Sequence, residues 1–221
     1  MKRSKKILGV GINDADYRIN ISITTGYTKE GKQIQKRIWS CPYYKVWIDM
    51  LRRGFSENLR KKIRTYKDVE IQESWLYFSQ FRTWAKPRYA EGLSLDKDIL
   101  VYGNKIYSEN TCCFVPHYVN TVLLTSSKGS NELIGAIFKP ARAHLLTPYM
   151  AASSSRPYLG YFSTSKEAHH AWQADKVKNI ISVVNRYRED ESYIPEVADA
   201  LLGRARILEK DMRDGKVTEY V

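Results

Sequence analysis

The sequence is poor in cysteine and has no long run of apolar residues. Its 221 residues include only three cysteines, two of them adjacent at Cys112 and Cys113, which excludes a disulfide framework and a Cys-x-x-Cys zinc site. No apolar run approaches the roughly 20 residues that a membrane-spanning helix needs. The basic start is followed by only a short apolar stretch at residues 7–10, too short for a secretory signal. These absences predict a cytoplasmic protein with no membrane partner.

Basic residues outnumber acidic residues, and aromatic residues are plentiful. There are 36 Lys and Arg against 24 Asp and Glu, so the formal net charge is +12, and 12% of the residues are aromatic. A polyanion is therefore the expected partner, and we favour DNA, with RNA as the alternative. The densest basic cluster surrounds a tyrosine and predicts phosphate contacts, although a charge run is usually a solvated face. Its predicted contact residues are Arg60, Lys61, Lys62, Arg64 and Lys67.

The stretch from Leu95 to Asn120 concentrates the polar chemistry of the chain. Short β-favouring runs before Val101 and at Cys112–Val115 flank turn residues, and Pro116 suits the start of a helix. The predicted order is strand, turn, strand and helix, with Asp96 on the first strand and Asn120 on the helix. The chain as a whole predicts an α+β protein with this ββα centre at residues 93–125.

This stretch resembles the ββα-metal (His-Asn-His) nuclease motif of bacteriophage endonucleases and homing endonucleases. The first block falls on Leu95-Asp96-Lys97-Asp98, the second on Asn104-Lys105 and Asn110, and the third on residues 115–120. The aromatic pattern Trp-x-x-Phe-x-x-Phe that precedes the motif also resembles phage-encoded members, so the resemblance covers most of residues 7–125. It implies a DNA endonuclease that hydrolyses phosphodiester bonds with one divalent metal ion.

The resemblance also implies roles for individual residues. Asp96 and Asn120 match the metal ligands, and their oxygen atoms are the donors that Mg²⁺ or Mn²⁺ prefers. Asn110 matches the asparagine that orients the catalytic group, whereas the general-base histidine is replaced by Lys97. Three interpretations stay open: Lys97 stabilises a phosphate while Asp98 or His117 is the base, it holds the phosphate without cleavage, or the site is a vestigial scaffold.

The residues after this motif predict a second, smaller module. Three short strands (Leu133–Phe138, Ala143–Leu146 and Tyr158–Phe162) and a helix starting after Ser163 resemble the Apetala-type (ethylene-response-factor-like) DNA-binding module. That resemblance implies a sheet lying in the major groove, with contacts from Lys139, Arg142 and Arg156. We therefore predict a nuclease-like domain over residues 1–127, this module over 128–185, and a helical tail over 186–221 that packs on the sheet or forms an oligomer contact.

Two further functions compete with the endonuclease. A catalytically degenerate protein could keep the nuclease-like fold and bind nucleic acid without cutting it, and Lys97 is the residue that favours this alternative. A structural protein associated with RNA could use the basic segment 59–67. A phage-encoded protein of any of these kinds would act in the cytoplasm of the host cell.

Overall fold

A computed structural model describes residues 6–125 and 133–219 and shows a chain of mixed α and β structure. It divides into two compact units, Met1–Phe114 and Val115–Val221. The coarse α+β class is thus confirmed. The predicted linker at residues 125–131 lies outside the described residues except for Thr125, and the predicted boundaries after residues 127 and 185 stay predictions. Among the described residues, no helix combines the length and apolar character needed to cross a bilayer.

The N-terminal unit contains three small pairs of strands and three helices within its described residues. The elements are β1 Asn20–Tyr27, β2 Gln33–Ser40, α1 Pro42–Phe55, α2 Glu57–Lys62, β3 Glu70–Ile71, α3 Phe78–Ala85, β4 Leu93–Asp96, β5 Ile106–Tyr107 and β6 Cys113–Pro116. β1 and β2 form an antiparallel hairpin, β3 and β5 pair in parallel, and β4 pairs with β6, whose first two residues close this unit. One-turn 3₁₀ segments occupy Arg64–Tyr66 and Glu73–Leu76.

The core of this unit is built from aromatic side chains on α1 and α3. Pro42 starts α1, and Trp47, Met50 and Leu51 recur at helical spacing and are fully buried. The Trp47 indole donates a 2.7 Å hydrogen bond to the buried carbonyl of Trp75, which joins α1 to the segment before α3. Residues 73–76 form the 3₁₀ turn, and α3 begins only after Tyr77.

The C-terminal unit contains a three-stranded antiparallel sheet and two long helices. Its elements are α4 His117–Asn120, β7 Ala136–Phe138, β8 Tyr149–Ala151, β9 Gly160–Phe162, α5 Ser165–Tyr187 and α6 Pro195–Arg213. Thr164 and Glu167 form a reciprocal capping box at the start of α5. The strand predicted at Ala143–Leu146 was wrong, because a 3₁₀ turn at Pro140–Arg142 carries the chain away and Phe138 pairs with Tyr149 instead.

One face of this sheet packs on α5, and α6 packs along the same helix. Ala136, Ala151 and Ala168 form the buried contact between sheet and helix. The predicted tail is α6, whose buried side chains Val197, Leu201 and Leu208 recur at helical spacing. The helix predicted after Pro116 is only one turn long, since α4 ends at Asn120.

Candidate functional site

The candidate site begins where β4 ends, because Asp96 folds the chain back on itself. Its Oδ1 accepts hydrogen bonds from the backbone N–H groups of Asp98 (2.8 Å) and Ile99 (2.7 Å). An aspartate side chain stabilises a turn when it accepts a hydrogen bond from the backbone N–H of the residue two positions later. The Ile99 side chain is buried and anchors that turn. The second carboxyl oxygen of Asp96 takes no part in these two bonds.

The environment of Asp96 disfavours its negative charge. Burial, followed by the charge of Asp98, raises the pKa of Asp96 to about 6, although the two backbone N–H bonds act in the opposite direction. Two carboxyl groups that crowd each other in a partly buried turn gain from a nearby cation, which offsets both the repulsion and the loss of hydration. Lys97 supplies one positive charge to this turn, at Asp98, so Asp96 is the carboxyl group whose charge a further cation would offset.

Lys97 points into its own loop. It is only 6% exposed, and its Nζ donates to Asp98 Oδ2 (2.9 Å) and to the carbonyl of Asn104 (3.2 Å). The Asn104 amide donates in return to the carbonyls of Lys97 and Ile106. The lysine and the asparagine thus close the loop between β4 and β5 from both ends, and the Lys97 ammonium fixes where the Asp98 carboxylate lies.

The Arg53 side chain on α1 contacts both strands that flank this loop, β4 and β5. Its guanidinium donates to the Tyr107 hydroxyl (3.0 Å) and to the carbonyl of Leu95 (3.5 Å), one residue before Asp96. Burial raises the pKa of Tyr107 to about 12, an effect that Arg53 partly offsets. Sequence reasoning missed Arg53 because its partner lies 54 positions along the chain. The pair of arginines that ends α1 was the only signal.

The other residues predicted for this site lie on a turn and on α4. Asn110 is exposed in the turn between β5 and β6, where Ser108 and Thr111 share a 2.8 Å hydrogen bond. His117, exposed, is the first residue of α4, and Asn120 is its last. These two residues belong to the C-terminal unit, whereas the structure places Asp96, Lys97 and Asp98 together in one loop of the N-terminal unit.

Contacts within the C-terminal unit fix α4 against α5. The Tyr118 hydroxyl donates to Asp190 Oδ2 (3.0 Å), and the Arg186 guanidinium lies 3.9 Å from the centre of the Tyr118 ring. The Lys176 ammonium donates to the carbonyl of Leu124 (2.7 Å), and burial lowers the pKa of Lys176 to about 8. Both ends of the segment that carries His117 and Asn120 are therefore held by α5.

Most of the predicted basic cluster is exposed, and part of it lines a shallow concavity. Arg60, Lys61 and Lys62 lie on α2 and are exposed, as is Lys67, and Arg64 lies in the following 3₁₀ turn. The Arg60 guanidinium donates to the carbonyl of Lys67, and this contact holds Lys67 close to α2. The concavity is lined by Glu57, Arg60, Lys61 and Lys67. Three cations and one acid around an open depression suit an anionic group.

The cations predicted on the second module are largely engaged with the protein. Arg142 stacks 3.9 Å above the Tyr161 ring, and Arg156 lies 3.4 Å from the buried carboxylate of Asp175. Lys139 is half-buried just after β7. Register places Ile137, Met150 and Tyr161 side by side on the sheet face opposite α5. Arg142 therefore borders a row of apolar and aromatic side chains on this face.

Comparison with known proteins gives no family for this chain. No protein-family model, curated protein or solved structure matches it. Across residues 6–125 and 133–219, no group of three or more His, Cys, Asp or Glu side chains is arranged to hold a metal ion. An ion held by one aspartate and one asparagine would not form such a group, so this finding does not bear on Asp96 and Asn120.

Proposed function

We propose that this protein is a DNA endonuclease of the His-Asn-His type, which hydrolyses phosphodiester bonds with one divalent metal ion. The observation that carries the proposal is the pair of carboxyl groups, Asp96 and Asp98, held in one tight turn at the end of β4. The proposal is further supported by the pairing of β4 with β6 and by the short helix α4 that follows β6, although β5, which pairs with β3, lies between them in the chain. No comparison with a known protein contributes to this proposal.

The roles follow from the chemistry of each group. Asp96 and Asn120 are the residues that, by the resemblance, would hold the ion through hard oxygen atoms, and a bound Mg²⁺ or Mn²⁺ would offset the charge that develops on the phosphate and the leaving 3′ oxygen. Asp98 or His117, both reachable by solvent, accepts the proton of the attacking water. Lys97 is a positioning residue in this scheme, because its ammonium holds the Asp98 carboxylate and not the substrate. Asn110 braces the loop.

DNA would be held by the two basic regions outside this turn. The α2 cluster offers exposed cations for phosphate contacts, which bind without regard to sequence. On the second module, Arg142 borders the sheet face that carries Ile137, Met150 and Tyr161, and Lys139 and Arg156 are the further cations that the resemblance implies. Binding through these groups should weaken steeply with salt, since each phosphate contact releases counterions.

Cleavage of supercoiled plasmid tests the proposal directly. Wild-type protein with Mg²⁺ or Mn²⁺ should give nicked or linear product, and chelation should abolish it. Asp96→Asn keeps the oxygen that accepts the two backbone N–H bonds but removes the charge, and we expect at least about a hundredfold loss of rate. The same variant, purified in parallel, controls for contaminating nucleases. Equal metal-dependent rates for both proteins would contradict the proposal.

Lys97→His separates the endonuclease from the second candidate, a nucleic-acid-binding protein without catalysis. The burial of Lys97 at the position of the family's general base is the observation that favours this second candidate. If the variant folds and cleaves faster than wild type, the turn is a nuclease centre in which a histidine at position 97 is a more effective base than the groups of the wild-type protein. If neither protein cleaves but both bind DNA with steep salt dependence, the second candidate is correct. Tighter binding to RNA than to DNA would favour the RNA-associated alternative.

A further inference from the structure

The β1–β2 hairpin is exposed along nearly its whole length. All of its residues except Asn20, Gly26 and Ser40 are exposed, on both faces of the ribbon. Among the described residues the hairpin pairs with no third strand. An isolated two-stranded ribbon is marginally stable in water unless it has a further contact. A ribbon that is exposed on both faces is therefore a surface for a partner.

The register separates the hairpin into a polar face and an apolar face. Ser22 lies opposite Arg37 and Thr24 opposite Gln35 on the polar face. The Gln35 amide donates to Thr24 Oγ1 (2.8 Å) and to Gln33 Oε1 (2.9 Å), so these side chains are preorganised in one row. The apolar face carries three exposed isoleucines, Ile21, Ile23 and Ile34, together with Lys36, and the exposed Trp39 pairs with Ile21.

The charge of the hairpin selects among the partners that could cover it. Residues 18–40 contain five cations and one acid, Glu30. A second copy of this chain would bring two such positive ribbons together, and like charges at close range are repelled. A polyanion is attracted by the same charges. The cations lie in β2 and around the turn, at Lys29, Lys32, Lys36 and Arg37, and Arg18 precedes β1.

We infer that the β1–β2 hairpin enters the major groove of duplex DNA and that Gln35 and Arg37 on its polar face contact base edges. The inference rests on the proposed function, in that DNA is the partner. The major groove is about 12 Å wide and admits a two-stranded ribbon, and glutamine and arginine make bidentate contacts with adenine and guanine there. A strand of eight residues extends about 26 Å, enough to follow the groove while the turn lysines reach phosphates.

Selection of duplexes from a random-sequence library tests this inference. The test variant, Gln35→Thr with Arg37→Lys, keeps the charge and the strand propensity but removes both bidentate groups. We expect it to bind the duplex that wild type selects about tenfold or more weakly, with unchanged affinity for unselected duplex. The matched control, Ile23→Thr with Ile34→Thr, alters the apolar face alone and should match wild type on both duplexes. Urea unfolding verifies that all three proteins fold.

Each outcome of this experiment has a definite meaning. A wild-type protein that binds no duplex DNA overturns both the inference and the proposed function. A wild-type protein that selects a sequence equally well with and without Gln35 and Arg37, or that selects none, overturns the inference alone. Sedimentation adds a third outcome: if wild type is a dimer that the Ile23 and Ile34 substitutions dissociate, a second copy covers the hairpin and the inference is wrong.

Discussion

Replacing Asp96 with asparagine should stabilise the N-terminal unit at neutral and alkaline pH. Burial and the neighbouring charge of Asp98 raise the pKa of Asp96 from its ordinary value of 3.8 to about 6. Asparagine keeps an oxygen that accepts the N–H groups of Asp98 and Ile99, so the turn after β4 is preserved. The substitution removes only the charge that the folded protein disfavours.

The sign of this effect follows from proton binding in the two states. Because the folded protein holds the Asp96 proton to higher pH than the unfolded chain, the contribution of Asp96 to wild-type stability falls as the pH rises from about 4 to about 6. A full pKa difference of this size corresponds to about 3 kcal/mol, and partial exposure of the side chain reduces our expectation to about 2 kcal/mol. Asp96→Asn should therefore be more stable than wild type at pH 8 and equal to it near pH 3.5.

Urea unfolding monitored by tryptophan fluorescence measures this difference, since four of the five tryptophans lie in the N-terminal unit. Equal midpoints at pH 8, or a variant less stable than wild type there, would refute the reasoning. Mg²⁺ provides a second measurement. It should raise the midpoint of wild type at pH 8, by an amount that grows with the ratio of its concentration to its Kd. It should leave Asp96→Asn unchanged.

The remaining predictions concern packing. Gly135→Ala should destabilise the C-terminal unit by more than about 3 kcal/mol, because Gly135 has φ +77° and a Cβ there would overlap the Trp172 side chain. Gly203→Ala should instead stabilise this unit by about 0.5–1 kcal/mol, because Gly203 lies on α6 with open space around the position of a Cβ. Thermal melts compare the two, and a similar melting temperature for both would contradict this packing. Trp47→Phe should lower the free energy of unfolding in urea by about 1–3 kcal/mol, because the buried Trp75 carbonyl loses its hydrogen-bond donor. An unchanged urea midpoint would show that another donor replaces the Trp47 indole.

The parts of the fold that the sequence predicted correctly are those with a strong local signal. The strand predicted at Cys112–Val115 agrees with β6 within one residue. Local signals of the same strength mark α1, where apolar residues at helical spacing follow Pro42, and the β1–β2 hairpin, where residues alternate around the Lys29–Lys32 turn. In each case the decisive residues are neighbours in the chain, so local propensity and tertiary packing favour the same structure.

The errors arose where distant contacts decide the structure. Ala143–Leu146 has the composition of a strand, but the pairing of Phe138 with Tyr149 excludes this segment from the sheet. The loop after β4 shows the same limit at the candidate site. An Asp-Lys-Asp sequence predicts an exposed charged edge, whereas Lys97 is buried because the Asn104 carbonyl accepts from its ammonium. Hydrogen-bond partners that are distant in the sequence depend on the three-dimensional path of the chain, and the spacing of apolar residues does not reveal that path.

The burial of His169 has a consequence for the order in which the C-terminal unit assembles during translation. Its Nδ1 faces the carbonyl of Ile134 at 2.7 Å, and its Nε2 accepts the backbone N–H of Thr218, 49 positions further on. A carbonyl can only accept, so the hydrogen of the imidazole sits on Nδ1. A nascent chain that has emerged only through α6 lacks the Thr218 donor. The ribosome therefore has to release residue 218 before this histidine acquires its native environment, and shortening the chain ahead of that position would leave the unit unfinished.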